Sequence, residues 1–380
     1  MEFPKKLQQK LDRRAEEAAL RSLGKAQRGV DFSSNDYLGF SRSKMLFTRA
    51  NSLLSEKDLH SNGATGSRLL SGNYSLYNEL ELALATLHNA EAGLLFNAGY
   101  AANTGLFASV PQRGDVVLYD EFIHASIRDG VQLSNAKTYK FKHNDHVSLE
   151  QKLQQFSELQ SAHVYVVTES VFSMDGDQPD LEMMAKLCSD YGAYLIVDEA
   201  HALGVVGDRG LGLVQQLGLE NKVFARVMTF GKAMGCHGAV VLGAEALKSY
   251  LVNFARSFIY TTGMPPHALA VISTGYEHLV TTGAEARLRL QENIKHFLKE
   301  SSRLGIDFIP STSAIQCTVI GGNEKTKGVA KFLQDSGYDV KPILSPTVAV
   351  GKERLRFCLH SYNTPREISD VLEKLITFAG

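Results

Sequence analysis

The sequence has no surplus of charge of either sign: 40 lysines and arginines stand against 41 aspartates and glutamates, a net charge of -1 at neutral pH. So balanced a surface offers nothing to a nucleic-acid backbone or an anionic membrane, and any anion site must be built locally. Cysteine is scarce. Cys188, Cys236, Cys317 and Cys358 form no CxxC pair and no dense framework, which suits a reducing compartment. No apolar run approaches the length of a membrane span. The opening, MEFPKKLQQKLDRRAEEAALRSLG, is charged throughout and lacks the apolar core of a secretory signal, so the cytoplasm is the expected location. A nucleotide-binding loop of the form GxxxxGK(S/T) is missing too. The Gly-Lys pairs at 24–25, 231–232 and 351–352 are followed by Ala26, Ala233 and Glu353, none of which supplies the hydroxyl that holds magnesium. The DEAH at 198–201 is therefore not read as part of an ATP-driven helicase.

What is present is an ordinary globular composition, 380 residues of which 44% are hydrophobic, enough for sizeable cores. Leu7, Leu11, Ala15, Ala18 and Ala19 predict a helix running through Leu20, with Gly24 as its stop and Arg13, Arg14 and Arg21 as its solvated face. VDFSSNDYLGF reads as a short opening strand. The small-residue loop HSNGATGSRLLSGNY, 60–74, suits either an anion cradle or an exposed turn. Leu76, Leu80, Leu84 and Leu87 make a core-facing helix stripe. Strand and helix patterns then alternate, with strands at 93–96, 115–119, 164–168, 194–197 and 223–229. This predicts an α/β fold, a mostly parallel sheet with helices on both faces. Farther on, a helix at 284–304, a strand at 314–319, a helix at 326–334, a strand at 354–360 and a capping box Thr364-Pro365-Arg366-Glu367 predict a smaller α+β domain. The expected divisions are 1–40, 41–275 and 276–380.

The apolar run at 194–197 does not alternate, so it reads as a strand buried on both faces, and Asp198, Glu199 and His201 fall at its carboxyl end. The other strand ends bring Gly99, His124, Ser173 and Lys232 to the same rim. Lys232 lies between Gly231 and Ala233 just past a buried strand, where partial desolvation lowers an ammonium toward nucleophilic use and a Schiff base. Pyridoxal 5'-phosphate would use the whole set: a lysine for its aldehyde, a carboxylate for its ring nitrogen, a donor near its phenolic oxygen and an anion nest. Asp198 would meet the ring N–H in a charge-assisted hydrogen bond of ~1.5–3 kcal/mol. Singly, each residue has a plainer use. His124 suits a helix cap or a core histidine, Asp198 with Glu199 a structural acid pair or a metal ligand, and Ser173 and Thr229 the satisfaction of backbone groups.

Together the motifs SSNDYLGF (33–40), GYAANTG (99–105), HAS (124–126), TESVFSMDGD (168–177), DEAHALGVVG (198–207), TFGKAMG (229–235), IYTTGMPP (259–266) and RLRF (354–357) resemble the α-oxoamine synthases, a pyridoxal-phosphate family of fold type I. The resemblance covers nearly the whole chain. It implies Lys232 as the Schiff-base lysine, Asp198 as the ring-nitrogen partner and His124 as the ring-stacking histidine that also polarises a thioester carbonyl. It implies Ser173, His201 and Thr229 as cofactor contacts, and Gly99 and Tyr100 as the phosphate turn. Arg356 would receive the amino-acid carboxylate, and Arg21, Asn35 and Thr347 would contact substrate. The implied partner is a second copy, forming a homodimer with shared active sites in which Thr261 and Thr262 reach the other subunit's phosphate site. The implied reaction is a decarboxylative condensation of L-alanine with a pimeloyl thioester of coenzyme A or an acyl carrier protein. Departures are Asn97-Ala98 before Gly99 and the loose glycine pattern at 63–68.

Overall fold

The computed structural model describes residues 3–23, 29–156 and 162–379. Gly24, the expected stop of the first helix, lies outside them. The chain divides into two compact units, one of Met1–Tyr37, Met174–Asp177 and Leu288–Gly380, the other of Leu38–Ser173 and Gln178–Arg287. Sequence patterning draws the later boundary at 275/276 and sets 1–40 apart, whereas the contacts divide the chain at 287/288 and place 1–37 with the C-terminal unit. The physical reason is that helix Pro266–Thr281 packs on helices Lys44–Glu56 and Ser75–Leu87 of the larger unit.

Strand β1 (Val30–Asp31) belongs to the smaller unit. The larger unit is built on β2 (Ala92–Phe96), β3 (Val116–Asp120), β4 (Lys137–Phe141), β5 (Val164–Glu169), β6 (Tyr194–Asp198), β7 (Ala225–Thr229) and β8 (Ala239–Gly243). These form one sheet in the order β2-β8-β7-β6-β5-β3-β4. β8 runs antiparallel to both of its neighbours, and every other pairing is parallel. Side chains of one strand enter two different cores by turns: Val116 and Leu118 one, Val117 the other; Leu195 and Val197 one, Ile196 the other. A strand buried on both faces has no polar side, which is why these runs do not alternate in the sequence. β4 and β8 are not among the strands expected from the sequence, although β8, AVVLG, is itself an unbroken apolar run. β4, KTYKF, is the sheet's edge, and the lysines that keep it solvated hide its strand character.

Helix Ser75–Leu87 buries Leu76, Leu80 and Leu84 as its spacing predicts. The first helix differs: it spans Lys5–Glu16 and does not reach Leu20. Ala18 adopts a left-handed conformation, φ 49°, and the Ala19 N–H closes on the Arg14 carbonyl at 2.7 Å, so the helix has already ended.

In the smaller unit β1 pairs parallel with β10 (Tyr338–Asp339), after β9 (Ile315–Val319). β11 (Lys341–Ile343) and β12 (Arg354–Cys358) join β9 in an antiparallel sheet of order β11-β12-β9. The capping box forms as expected: the Thr364 N–H donates to Glu367 Oε2 at 2.7 Å and the Glu367 N–H to Thr364 Oγ1 at 3.3 Å. Met174–Asp177 is held in this unit by a buried Arg354–Asp175 ion pair and by Cys317 Sγ, which donates to the Met174 carbonyl at 2.8 Å. Among the described residues no helix is long and apolar enough to cross a membrane.

Candidate active site

The rim of the large sheet carries acids where its parallel strands end. Glu169 closes β5 and Asp198 closes β6, and the two are register partners. Asp198 is only 5% exposed. Its Oδ1 accepts the Ala200 N–H at 2.9 Å and its Oδ2 accepts Asn103 Nδ2–H at 2.8 Å. The second Asn103 amide hydrogen goes to Ser126 Oγ at 3.0 Å, and Ser126 Oγ lies 2.7 Å from His124 Nδ1. The Ser126 N–H also points at Nδ1, 3.2 Å away, so His124 caps helix Ala125–Leu133 with its own ring. Its backbone N–H donates to Glu169 Oε1 at 2.5 Å.

These contacts set the protonation of the rim. Burial pushes the Glu169 carboxyl up to about 8, with Asp198 adding to the rise while the Lys232 ammonium and the His124 N–H oppose it. Desolvation and the Lys232 ammonium hold the His124 imidazole below its ordinary value against the pull of Asp198. Lys232 is thus electrostatically close to both. It stands half-buried in the turn after β7, which closes by Gly235 N–H to the Lys232 carbonyl at 2.8 Å. Gly235, φ 59°, meets Ser41 N so closely that a Cβ would lie 2.2 Å from it.

Beside the lysine, Thr229 at the end of β7 has a buried Oγ1 with no partner. A Cβ on Gly99 would come within 2.4 Å of Thr229 Cγ2, so only glycine fits where helix Gly99–Ser109 begins. That helix has no side-chain cap. Tyr100 is exposed and its hydroxyl bonds Asp129. Ser173 is half-buried just after β5, and His201 is buried just after β6. Thr262 is exposed; its carbonyl accepts Asn97 Nδ2–H at 2.8 Å, and it bridges to Ser67. The 60–74 loop is a tight backbone crossing, since a Cβ on Gly72 would lie 2.2 Å from the Gly66 carbonyl. Glu199 is a structural anchor, buried, accepting the Val214 N–H at 2.9 Å and pushed up to about 7 by that burial.

The substrate residues expected from the sequence fall in the smaller unit as two pairs. Arg356 Nη2 donates to Asn35 Oδ1 at 3.1 Å, which also accepts the Tyr37 hydroxyl at 3.1 Å. Arg356 Nη1 reaches Cys358 Sγ at 3.0 Å. Arg21 Nη2 donates to Thr347 Oγ1 at 3.3 Å, both exposed. Asn103, Ser126 and Glu169 are rim residues that sequence reasoning does not single out. Asn103 alone left a trace, a poor helix former in the middle of an apolar helix.

The family profile described as aminotransferase class I and II matches residues 27–375. The chain belongs to that family. Within the aminotransferase class I and II family it has the architecture of the fold type I α-oxoamine synthases. It is 41% identical over 372 residues to an 8-amino-7-oxononanoate synthase of Emericella nidulans, covering 92% of this chain and 89% of the relative. A solved 8-amino-7-oxononanoate synthase from Francisella tularensis superposes with a TM-score of 0.77 at 29% identity, over 92% of this chain and 98% of the other. A serine palmitoyltransferase from S. paucimobilis, solved with bound PLP-myriocin aldimine, does so with a TM-score of 0.88 at 26% identity, over 99% and 97%.

Proposed function

We propose that this chain is a pyridoxal 5'-phosphate-dependent acyltransferase that condenses L-alanine with a pimeloyl thioester, giving 8-amino-7-oxononanoate, carbon dioxide and free thiol for biotin biosynthesis. The single observation that carries the cofactor is the partnerless Thr229 Oγ1, buried beside a glycine-only, uncapped helix start. A buried hydroxyl without a partner costs about 1–3 kcal/mol, and a phosphate at a helix N-terminus removes that cost while meeting the free N–H groups. The choice of alanine and a pimeloyl group rests on the relatives at 41% identity.

When bound, the cofactor supplies an electron sink for charge developing at the amino-acid Cα. The chain supplies the rest. Lys232 Nζ would hold the cofactor's aldehyde, and its free amine would take the Cα proton of alanine. Asp198, already held by two donors, has lone pairs left that would accept the cofactor's ring N–H. Ser173 and His201 would contact the polar ring substituents, and His124 would cover the ring and donate toward the thioester carbonyl oxygen. The N–H groups of Gly99 and Tyr100, Thr229 Oγ1 and, from a second subunit of a homodimer, Thr262 would hold the phosphate. Arg356, oriented by Asn35, takes the alanine carboxylate, and Arg21 with Thr347 contacts the acyl substrate. The enzyme works in the cytoplasm and takes its acyl group from coenzyme A or an acyl carrier protein.

Purified protein offered alanine or glycine with pimeloyl, acetyl or succinyl thioesters, with thiol release followed, is expected to prefer alanine with the pimeloyl group. Borohydride is expected to trap the cofactor on Lys232. Preference for glycine with an acetyl thioester, or a colourless protein with nothing trapped, refutes the assignment.

A further inference from the structure

We propose that Ser126 and Asn103 are positioning residues that hold His124 as the neutral Nε2–H tautomer, through a continuous hydrogen-bonded chain from Asp198 to Asn103 to Ser126 to His124. The inference deepens the proposed function and rests on its placing of His124 beside the reacting carbonyl. The direction of each link is forced. A carboxylate only accepts, so the Asn103 atom 2.8 Å from Asp198 Oδ2 is its nitrogen. That nitrogen spends its second hydrogen on Ser126 Oγ at 3.0 Å. Ser126 Oγ, 2.7 Å from His124 Nδ1, keeps its own hydrogen to donate there, a direction set by the Ser126 backbone N–H on the same atom.

A second donor reaches the same atom. The Ser126 backbone N–H, 3.2 Å from Nδ1, cannot reverse its polarity, so an Nδ1–H would face a donor head-on. Asn103 and Ser126 are 2% and 1% exposed, so water is kept from the Asp198–Asn103 and Asn103–Ser126 links, and the chain meets solvent only at the exposed His124. The charged groups acting on the ring are Lys232, Asp198 and Asp129, and Glu169 holds its backbone. Desolvation and Lys232 both disfavour the imidazolium, in agreement with a neutral ring. The ring therefore offers the acyl substrate a hydrogen-bond donor at Nε2, and the lysine is left as the base.

The test is the ring nitrogen and carbon NMR spectrum of histidine-labelled protein loaded with pyridoxal 5'-phosphate, the His124 signals being assigned by their loss in His124→Gln. Nε2–H is expected to exceed Nδ1–H at least about ten-fold at neutral pH, and Ser126→Ala to lower that ratio roughly five-fold, the effect of one neutral hydrogen bond. Ser126→Thr restores it. Asn103→Asp places an acceptor where a donor stood, turns the Ser126 hydroxyl away from Nδ1 and lowers the ratio likewise, with Ser126 itself in place. A wild-type ring that is Nδ1–H or imidazolium, or a ratio unmoved in both Ser126→Ala and Asn103→Asp, overturns the proposal. Thiol release separates the two readings. Condensation with the wrong tautomer sinks the positioning role alone, and the right tautomer without condensation of any pair sinks the proposed function alone.

Discussion

Gly99→Ala tests the phosphate turn with one methyl group. The added Cβ would lie 2.4 Å from Thr229 Cγ2 and 3.2 Å from Thr229 Cβ, against about 3.5–4.0 Å for unstrained carbons. Roughly 1 Å must be found. Thr229 is β-branched and ends a sheet strand, so it cannot swing aside, and the helix start has to move instead. Overpacking of this size costs about 1–3 kcal/mol. Alanine regains up to about 1 kcal/mol of helix propensity, leaving a net loss of roughly 0–2 kcal/mol in the fold. The cofactor, which needs the N–H groups in place, should lose affinity as well, about ten-fold or ~1.4 kcal/mol. Urea unfolding reads the first quantity and absorbance titration with pyridoxal 5'-phosphate the second. Thr229→Ser removes Cγ2 and keeps the hydroxyl, so the double variant Gly99→Ala/Thr229→Ser should recover most of the affinity, a coupling of at least about 1 kcal/mol. Equal affinity in Gly99→Ala, or no recovery in the double variant, refutes the reasoning.

Three further outcomes are expected. Glu169 is raised from 4.5 to about 8, so between those values the unfolded chain is ionised there and the folded one is not. The stability this group lends is complete below about pH 4.5 and is lost as pH rises through 8. The stability gained by Glu169→Gln in the cofactor-free chain should therefore grow by up to ~1.4 kcal/mol per pH unit across that window, and a flat difference in denaturant titrations contradicts it. Asp175→Asn breaks the buried pair with Arg354 and should cost about 3–5 kcal/mol in urea unfolding; a loss under 1 kcal/mol would show the guanidinium satisfied elsewhere. Asn35→Ala frees the Arg356 fork and should raise the KM for alanine roughly ten-fold with kcat little changed, whereas a matched fall in kcat alone would place Asn35 at the reacting atoms.

The sequence made strands and their ends legible for a physical reason: a strand buried on both faces leaves an unbroken apolar run, and polar residues return where the chain re-emerges at the rim. Asp198 and Lys232 stand out on that account, as does the Thr364 capping box, whose partners are three residues apart. β4 escaped because edge solvation writes lysines into it, and the end of the first helix because Ala18 enters the left-handed region without a glycine to announce it. The His124 chain escaped for another reason. Asn103 and Asp198 are 95 residues apart, on a helix and a strand that meet only when the sheet is assembled. Periodicity says which end of a strand a side chain occupies and is silent on its partner. The second acid of DEAH shows the same limit from the other side. Glu199 stands next to Asp198 and shares its burial, yet Gly212, φ +104°, is drawn so tightly against it that a Cβ would sit 2.1 Å from Oε2. Two adjacent carboxyls thus part company, one held open at the rim by Asn103 and Ala200, the other sealed by backbone. What separates them is the packing around each carboxyl, which neither the residue type nor its place along the chain encodes.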